Sequence, residues 1–308
     1  MTVARSSLTV VALGGNALQR RGTPLSVNQL QDNAERAVRS LLPVIRRTRT
    51  IITHGNGPQI GLLAAQFEPA SADVPPLPLD VLGAETEGQI GYIIERALRS
   101  LEPDLEVATL LTQVQVDPDD PAFTTPSKPI GRVYNKADVR RLEQARGWHL
   151  AQDGDGYRRV VPSPRPLAIL EIEVIRHLSE FGYTVICAGG GGIPVATTED
   201  GVIIGIEAVI DKDMTSALLA ERLQADRLVI LTDVDAVYLD WPDAKSRPLH
   251  KTTPEMLRTM TFESGTMDPK IKAACAFVAN TRASAAIGAL DQANAVIDGD
   301  AGTQIVPD

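Results

Sequence analysis

Apolar residues along this chain follow two rhythms. Short uninterrupted runs rich in Val, Ile and Leu alternate with longer stretches in which apolar positions recur every three or four residues. A continuous run suits a strand covered on both faces, and the wider spacing suits a helix with one buried stripe. Leu8–Leu13 reads as the first strand. Ser26 with Gln29 then forms a capping-box start for a helix carrying Leu30, Ala34, Ala37, Val38 and Leu41, which Pro43 is expected to kink or end. A second strand begins over 50–53, a helix spans 85–101 with Ile90, Ile94, Ala97, Leu98 and Leu101 inward, and 106–116 reads as a strand. Further along come a helix over 166–181 stopped by Gly182, strands over 183–188 and 201–210, a helix over 213–224 and the strand Arg227–Thr232. A helix from Pro269 and strands near 285–290 and 303–306 close the chain. This alternation predicts an α/β fold around a largely parallel sheet.

Between about 117 and 165 the rhythm breaks. Pro118, Pro121, Pro126, Pro129, Pro162 and Pro164 punctuate it, and Asp153-Gly154-Asp155-Gly156 reads as a hairpin turn. This stretch is predicted to be a small subdomain or lid inserted into a single domain of 308 residues. Charge narrows the function. A net charge of -9 argues against non-specific nucleic-acid binding, so any site for a phosphate must gather its positive potential locally. Cys187 and Cys275 form no CxxC pair and read as small buried hydrophobes, which suits a reducing, cytoplasmic setting. The first apolar run is too short for a signal-peptide core, and no segment has transmembrane length; a soluble protein without a membrane partner is expected.

Three glycine-rich loops each follow a predicted strand: Gly14-Gly15-Asn16, His54-Gly55-Asn56-Gly57 and Gly189-Gly190-Gly191-Gly192. Loops at the carboxyl ends of parallel strands share one crevice, and glycine lets amide N–H groups approach an anion closely. Pro58 suits the first turn of a following helix, whose N-terminus would add partial positive charge. One such loop is an ordinary tight turn; three, two of them with Asn, mark an anion site. No GxxxxGK(S/T) occurs, and neither the glycine quartet, which runs into Ile193-Pro194, nor the 55–61 stretch satisfies GxGxxG. Walker-type and dinucleotide-binding readings are therefore disfavoured.

Of the 30 Lys and Arg residues only seven are Lys, yet Lys128, Lys212 and Lys270 fall in loop or helix-start motifs. A compact ammonium suits a travelling phosphoryl group, whose transfer is catalysed mainly by positioning and cationic stabilisation. Asp213, beside Lys212, is read equally as a helix N-cap or as an orienter of the lysines. HExxH, GxSxG and Cys/His metal spacings are absent, no metal ligand is assigned, and His54 is read as a structural hydrogen-bonding group. A carboxylate-type nucleophile is already ionised and needs no general base. The inventory suits a kinase that makes an acyl phosphate.

The motifs as a set resemble those of the carbamate kinases. These are 10–18 around Gly14-Gly15-Asn16, Thr53 to Gln59, Pro78-Leu79-Asp80-Val81, Asp120-Pro121-Ala122-Phe123, Lys128-Pro129-Ile130-Gly131, 158–164, 189–195, 208–213 and 230–234. The resemblance implies an amino-acid-kinase fold: a three-layer αβα sandwich with a mainly parallel central sheet, assembled as a homodimer. It implies reversible phosphoryl transfer between carbamoyl phosphate and ADP, giving ATP and carbamate, in arginine or purine-nitrogen catabolism. Lys128 would reach down from the insertion, and Lys212 and Lys270, positioned by Asp213, would stabilise the transferring charge. Gly14, Gly15, Asn16, Gly55, Asn56, Gly190 and Gly191 would hold the substrate. Asp211, Thr232, Asp233, Tyr238 and Met267 would lie by the nucleotide, with Mg2+ held mostly by phosphate oxygens. Other kinases of this fold and a catalytically silent ligand-binding module are the alternatives; the insertion and the three lysines argue against them. Two departures stand out. In Thr266-Met267-Asp268-Pro269-Lys270, Asp268 is expected to cap the helix, and the extra charge of Glu87 in Glu85-Thr86-Glu87 is expected to bear on the subunit interface.

Overall fold

Every residue of β1 (Leu8–Leu13; elements are numbered in chain order) is buried, and successive side chains enter different cores: Val10 and Ala12 one, Val11 and Leu13 the other. Ile51 and Ile52 of β2 (Arg49–His54) divide in the same way, as do Leu228 and Ile230 against Val229 and Leu231 of β12 (Arg227–Thr232). Side chains alternate along a strand, so an unbroken apolar run must be covered on both faces.

In the computed structural model, which describes residues 7–18, 26–66, 77–239, 246–260, 262 and 267–308, two helical layers supply that cover. α2 (Val27–Ile45), α4 (Leu79–Leu101) and α10 (Ala293–Asp298) line one face. α6 (Ile172–Glu180), α7 (Lys212–Arg222), α8 (Pro254–Arg258) and α9 (Met267–Thr281) line the other. Each fully buried Leu or Ile adds roughly 1.5–3 kcal/mol. Such burial explains why α2 runs past Pro43, where an end or kink was expected: Leu41, Leu42, Val44 and Ile45 around it are all buried.

The eight-stranded sheet runs β15 (Lys251–Thr252), β17 (Thr303–Ile305), β16 (Ser284–Ala289), β12, β1, β2, β9 (Thr184–Ile186), β3 (Val107–Thr109). All are parallel except β15 and β17, so the carboxyl ends of β12, β1, β2, β9 and β3 share one edge. A second sheet, β11 (Ile203–Gly205), β10 (Ile193–Thr197), β4 (Gln113–Val116), β8 (Pro166–Ile169), lies beside it. It corrects three expectations. The run 106–116 splits at 110–112, where the chain leaves one sheet for the other; 166–169 pairs with β4 and only Ile172–Glu180 is helical; and the strand expected over 201–210 shrinks to Ile203–Gly205.

Within 117–165, β5 (Lys128–Tyr134), β7 (Gly156–Val161) and β6 (His149–Asp153) form a separate antiparallel sheet with α5 (Lys136–Arg146). Gly154, in the β6–β7 turn, takes a φ of 60°. The guanidinium groups of Arg146 and Arg159 both stack on Trp148, at 5.1 and 4.8 Å from its ring centre. This sheet packs on α3 (Gly57–Gln66) and α4 through Ile130 and Val161, which share a small core with Ile60, Leu79, Leu82 and Val209, and it meets α3 most tightly at Gly61. A Cβ at Gly61 would lie 2.0 Å from both N and Cα of Gly131, whose own φ is +75°.

Candidate active site

The glycine loops extend the sheet ladder one step beyond the strand ends. Gly14 N–H donates to Leu231 O at 2.8 Å, and Gly55 N–H to Leu13 O at 3.1 Å. A Cβ on Gly55 would lie 2.9 Å from Gly15 N, so these loops meet backbone to backbone. Asn16 follows on the short turn α1 (Gly15–Leu18). Thr232 closes β12 beside Gly14, with its hydroxyl on Asp233 at 3.0 Å.

The third loop turns at Ala188, held at φ 50°, and passes through Gly190, Gly191 and Gly192 at φ 68°, 98° and 86°, a region that glycine enters freely. A Cβ on Gly190 would fall within 2.5 Å of the Asn56 side-chain amide, which therefore lies directly on the loop. Thr215 of α7 donates from Oγ1 to Gly191 O at 2.9 Å and ties the loop to the next element.

The sequence places a polar cluster, Asp211-Lys212-Asp213, where α7 begins. Asp211 is the N-cap: its Oδ1 accepts from the amides of Asp213 (2.9 Å) and Met214 (3.2 Å). This removes Asp213 from the capping role. Its two oxygens instead accept one ammonium each, Lys212 on Oδ1 and Lys270, from the first turn of α9, on Oδ2 at 3.1 Å. All three residues are buried, with Lys212 and Lys270 8% exposed and Asp213 3%. Burial by itself would raise the Asp213 carboxyl; Lys212 and Lys270 overcome it and hold the group at about 2. Burial, and then Lys270, lower the Lys212 ammonium, against the pull of Asp213. Two ammonium groups share one carboxylate, leaving one uncompensated positive charge.

Lys128, at the start of β5, reaches across from the insertion to Asp211 Oδ2 at 2.5 Å. The Asp211 carboxylate, expected beside the nucleotide, is thus divided between helix cap and lid lysine. Met267 begins α9 and packs on the core. Asp268 lies inside that first turn and pairs with Lys272 at 2.7 Å, so it is not the expected N-cap; Thr266 lies outside the described residues. Tyr238 stands on the hairpin of β13 (Val237–Leu239) and β14 (Arg247–Leu249), with its hydroxyl on Asp235 at 3.0 Å.

His54 is fully buried against Gly189, and its Nδ1 lies 3.4 Å from Gly55 O. Burial lowers it to about 4 despite that carbonyl, with Lys212 adding a little, so it is neutral near pH 7. Sequence reasoning missed the supports behind the loops: Thr86, Glu87, Thr112, Thr215 and Ser216. The signal for Glu87 was its spacing. It falls on the buried stripe of α4 with Gly83, Ile90 and Ile94, and at 1% exposure it is a core residue, not an interface one. Among the described residues, no group of three or more His, Cys, Asp or Glu side chains could hold a metal ion.

The Amino acid kinase family profile matches residues 7–288. Carbamate kinase of Haemophilus influenzae is 49% identical over 297 residues, 96% of each chain. That of Pyrococcus furiosus is 42% identical over 97% of this chain and 98% of its own. The structure of Giardia lamblia carbamate kinase bound to AMP-PNP superposes with a TM-score of 0.90 at 36% identity, covering 98% and 99% of the two chains. The chain belongs to the carbamate kinase family.

Proposed function

We infer that this carbamate kinase family member transfers a phosphoryl group between carbamoyl phosphate and ADP, releasing ATP and carbamate. The observation that carries the reading is the buried Lys212–Asp213–Lys270 cluster with its one excess positive charge, tied through Thr215 to the glycine loop. In the transfer, the P–O bond to the carbamoyl oxygen breaks while a bond to a β-phosphate oxygen of ADP forms. Both oxygens are anionic, so no proton need be abstracted, and charge stabilisation by ammonium and amide groups does the catalysis. His54, enclosed and lowered to about 4 by burial, is a weak base, in keeping with a reaction that uses none.

Gly14, Gly15, Asn16, Gly55, Asn56, Gly190 and Gly191 hold the carbamoyl phosphate end in this reading. Thr232, Asp233, Tyr238 and Met267 lie toward the nucleotide in this reading; that a relative was solved with AMP-PNP supports a nucleotide as substrate. Magnesium enters with the nucleotide as part of the substrate, held by phosphate oxygens. The 117–165 unit acts as a lid: Lys128 leaves Asp211 for the substrate phosphoryl group when the site fills. A second copy of the chain covers the large apolar side chains left in solvent on α4 and around the second sheet, among them Tyr92, Leu111, Leu167 and Ile203.

Mixing the protein with carbamoyl phosphate and MgADP should yield ATP promptly, measured by a coupled enzyme. ATP formed only from a different acyl phosphate would overturn the substrate assignment. Light scattering on the same preparation should give twice the chain mass of 33.0 kDa, and a monomer at micromolar concentration would refute the paired assembly.

A further inference from the structure

Two adjacent residues in the middle of α4 support two substrate loops from behind. Thr86 Oγ1 accepts from Asn56 Nδ2 at 2.9 Å and itself donates back to the α4 carbonyls of Leu82 and Gly83. One residue on, Glu87 Oε1 accepts from Gly189 N–H at 2.7 Å, and Oε2 from Thr112 N–H at 3.1 Å. Thr112 extends the clamp, because its Oγ1 accepts from Ala188 N–H at 2.9 Å. Both residues that start the glycine loop are therefore fixed from α4 and the 110–112 connection. Inside the loop, Gly191 N–H goes to Ala188 O and Gly192 N–H to Gly189 O, each at 3.1 Å. For the buried Gly190 amide no acceptor is found among the described residues, and the Cα of Gly190 packs directly against the Asn56 side chain, where a Cβ would not fit. A buried amide without a partner is costly unless a ligand completes it.

We propose that Glu87 is a positioning residue for the reaction: by gripping Gly189 and Thr112 it holds the Ala188–Gly192 turn in the shape that presents the Gly190 N–H to the carbamoyl phosphate. This rests on the substrate reading given above. The geometry requires two acceptor oxygens, which only an ionised carboxylate supplies in full. Burial raises the group to about 8, against the two amides and the Thr112 hydroxyl, with Glu171 adding to the rise. The other titratable groups around it are Cys187, pushed well above its usual range, and His54 across Gly189, lowered to about 4. Neither changes charge between pH 6 and 9. Raising the pH through about 8 therefore ionises Glu87, frees its second oxygen as an acceptor and tightens the grip.

Glu87→Leu keeps the bulk and removes both acceptors; Glu87→Gln keeps one acceptor and removes the titration. For Glu87→Leu, KM for carbamoyl phosphate is expected to rise at least tenfold with KM for ADP within twofold of wild type. Amide hydrogen exchange across 188–192 should quicken by a similar factor, with Glu87→Gln restoring both. In the wild type, KM for carbamoyl phosphate should fall as pH passes 8, a step that Glu87→Gln lacks. Unchanged exchange in Glu87→Leu, or a KM for ADP rising in proportion, overturns the proposal. If Glu87→Leu does not fold, superimposable pH profiles of wild type and Glu87→Gln overturn it on their own. The exchange measurement needs no substrate, so its failure is distinct from a wild type inert toward carbamoyl phosphate, which would sink the substrate reading instead.

Discussion

Lys212→Ala is expected to lower kcat roughly a thousandfold, the effect of removing one preorganised charge-stabilising donor from a desolvated site. The fold should survive. Lys212 and Lys270 are like charges held against one buried carboxylate, and Lys270 pushes the Lys212 ammonium down. Removing one ammonium leaves a neutral Lys270–Asp213 pair, so the melting temperature should hold or rise. Asp213→Asn is the informative contrast: it leaves two buried ammonium groups without a counter-charge, a loss of about 3–5 kcal/mol. Steady-state kinetics and thermal unfolding of both variants check the pair. A Lys212→Ala enzyme within threefold of wild-type turnover would remove that lysine from the mechanism.

The second large effect is expected at a residue with no side chain. At Gly61 the helix after the second substrate loop touches the insertion, and a methyl group there would lie 2.0 Å from the Gly131 backbone. No rotamer relieves contact with main chain, so α3 and β5 must separate. Lys128 stands three residues before Gly131 on the same strand and moves with it. Gly61→Ala should therefore mimic Lys128→Ala, with kcat falling about a hundredfold, within the range for loss of one stabilising donor, while ADP affinity stays near wild type. Gly131→Ala separates packing from backbone strain. Its Cβ would meet Gly61 no closer than 3.5 Å, leaving only the left-handed φ of +75° to be tolerated, at roughly 1–2 kcal/mol. Its activity should fall far less. A Gly61→Ala enzyme with normal turnover would show that the lid does not take its position from this contact.

The strands over Leu8–Leu13 and Arg227–Thr232 were legible because a strand buried on both faces is an unbroken apolar run, a signal confined to one segment. The glycine loops were legible for the same reason, since the left-handed backbone at 190–192 is written into residue type. The run 106–116 was not: local pattern is identical whether a strand stays in one sheet or crosses to the next, and at the crossing over 110–112 the partners are distant in sequence, Leu110 N–H on Ile186 O and Thr112 N–H on Glu87. Asp211 and Asp213 show the limit within one motif. Either carboxylate could have capped α7, and only the arrival of Lys270 from α9 and Lys128 from β5 assigns one as cap and the other as lysine holder.

By itself, then, the order of residues determined the alternation of strand and helix, the glycine-rich loops that follow three of the strands, and the three lysines on which the chemistry was expected to rest. Each of those follows from steric and solvation preferences acting over a few neighbours. Tertiary structure alone decided which lysine meets which aspartate, that Glu87 is interior, and that Gly61 and Gly131 touch. Those are contacts between segments far apart in the chain, settled by how the layers pack, and local preference carries no information about them.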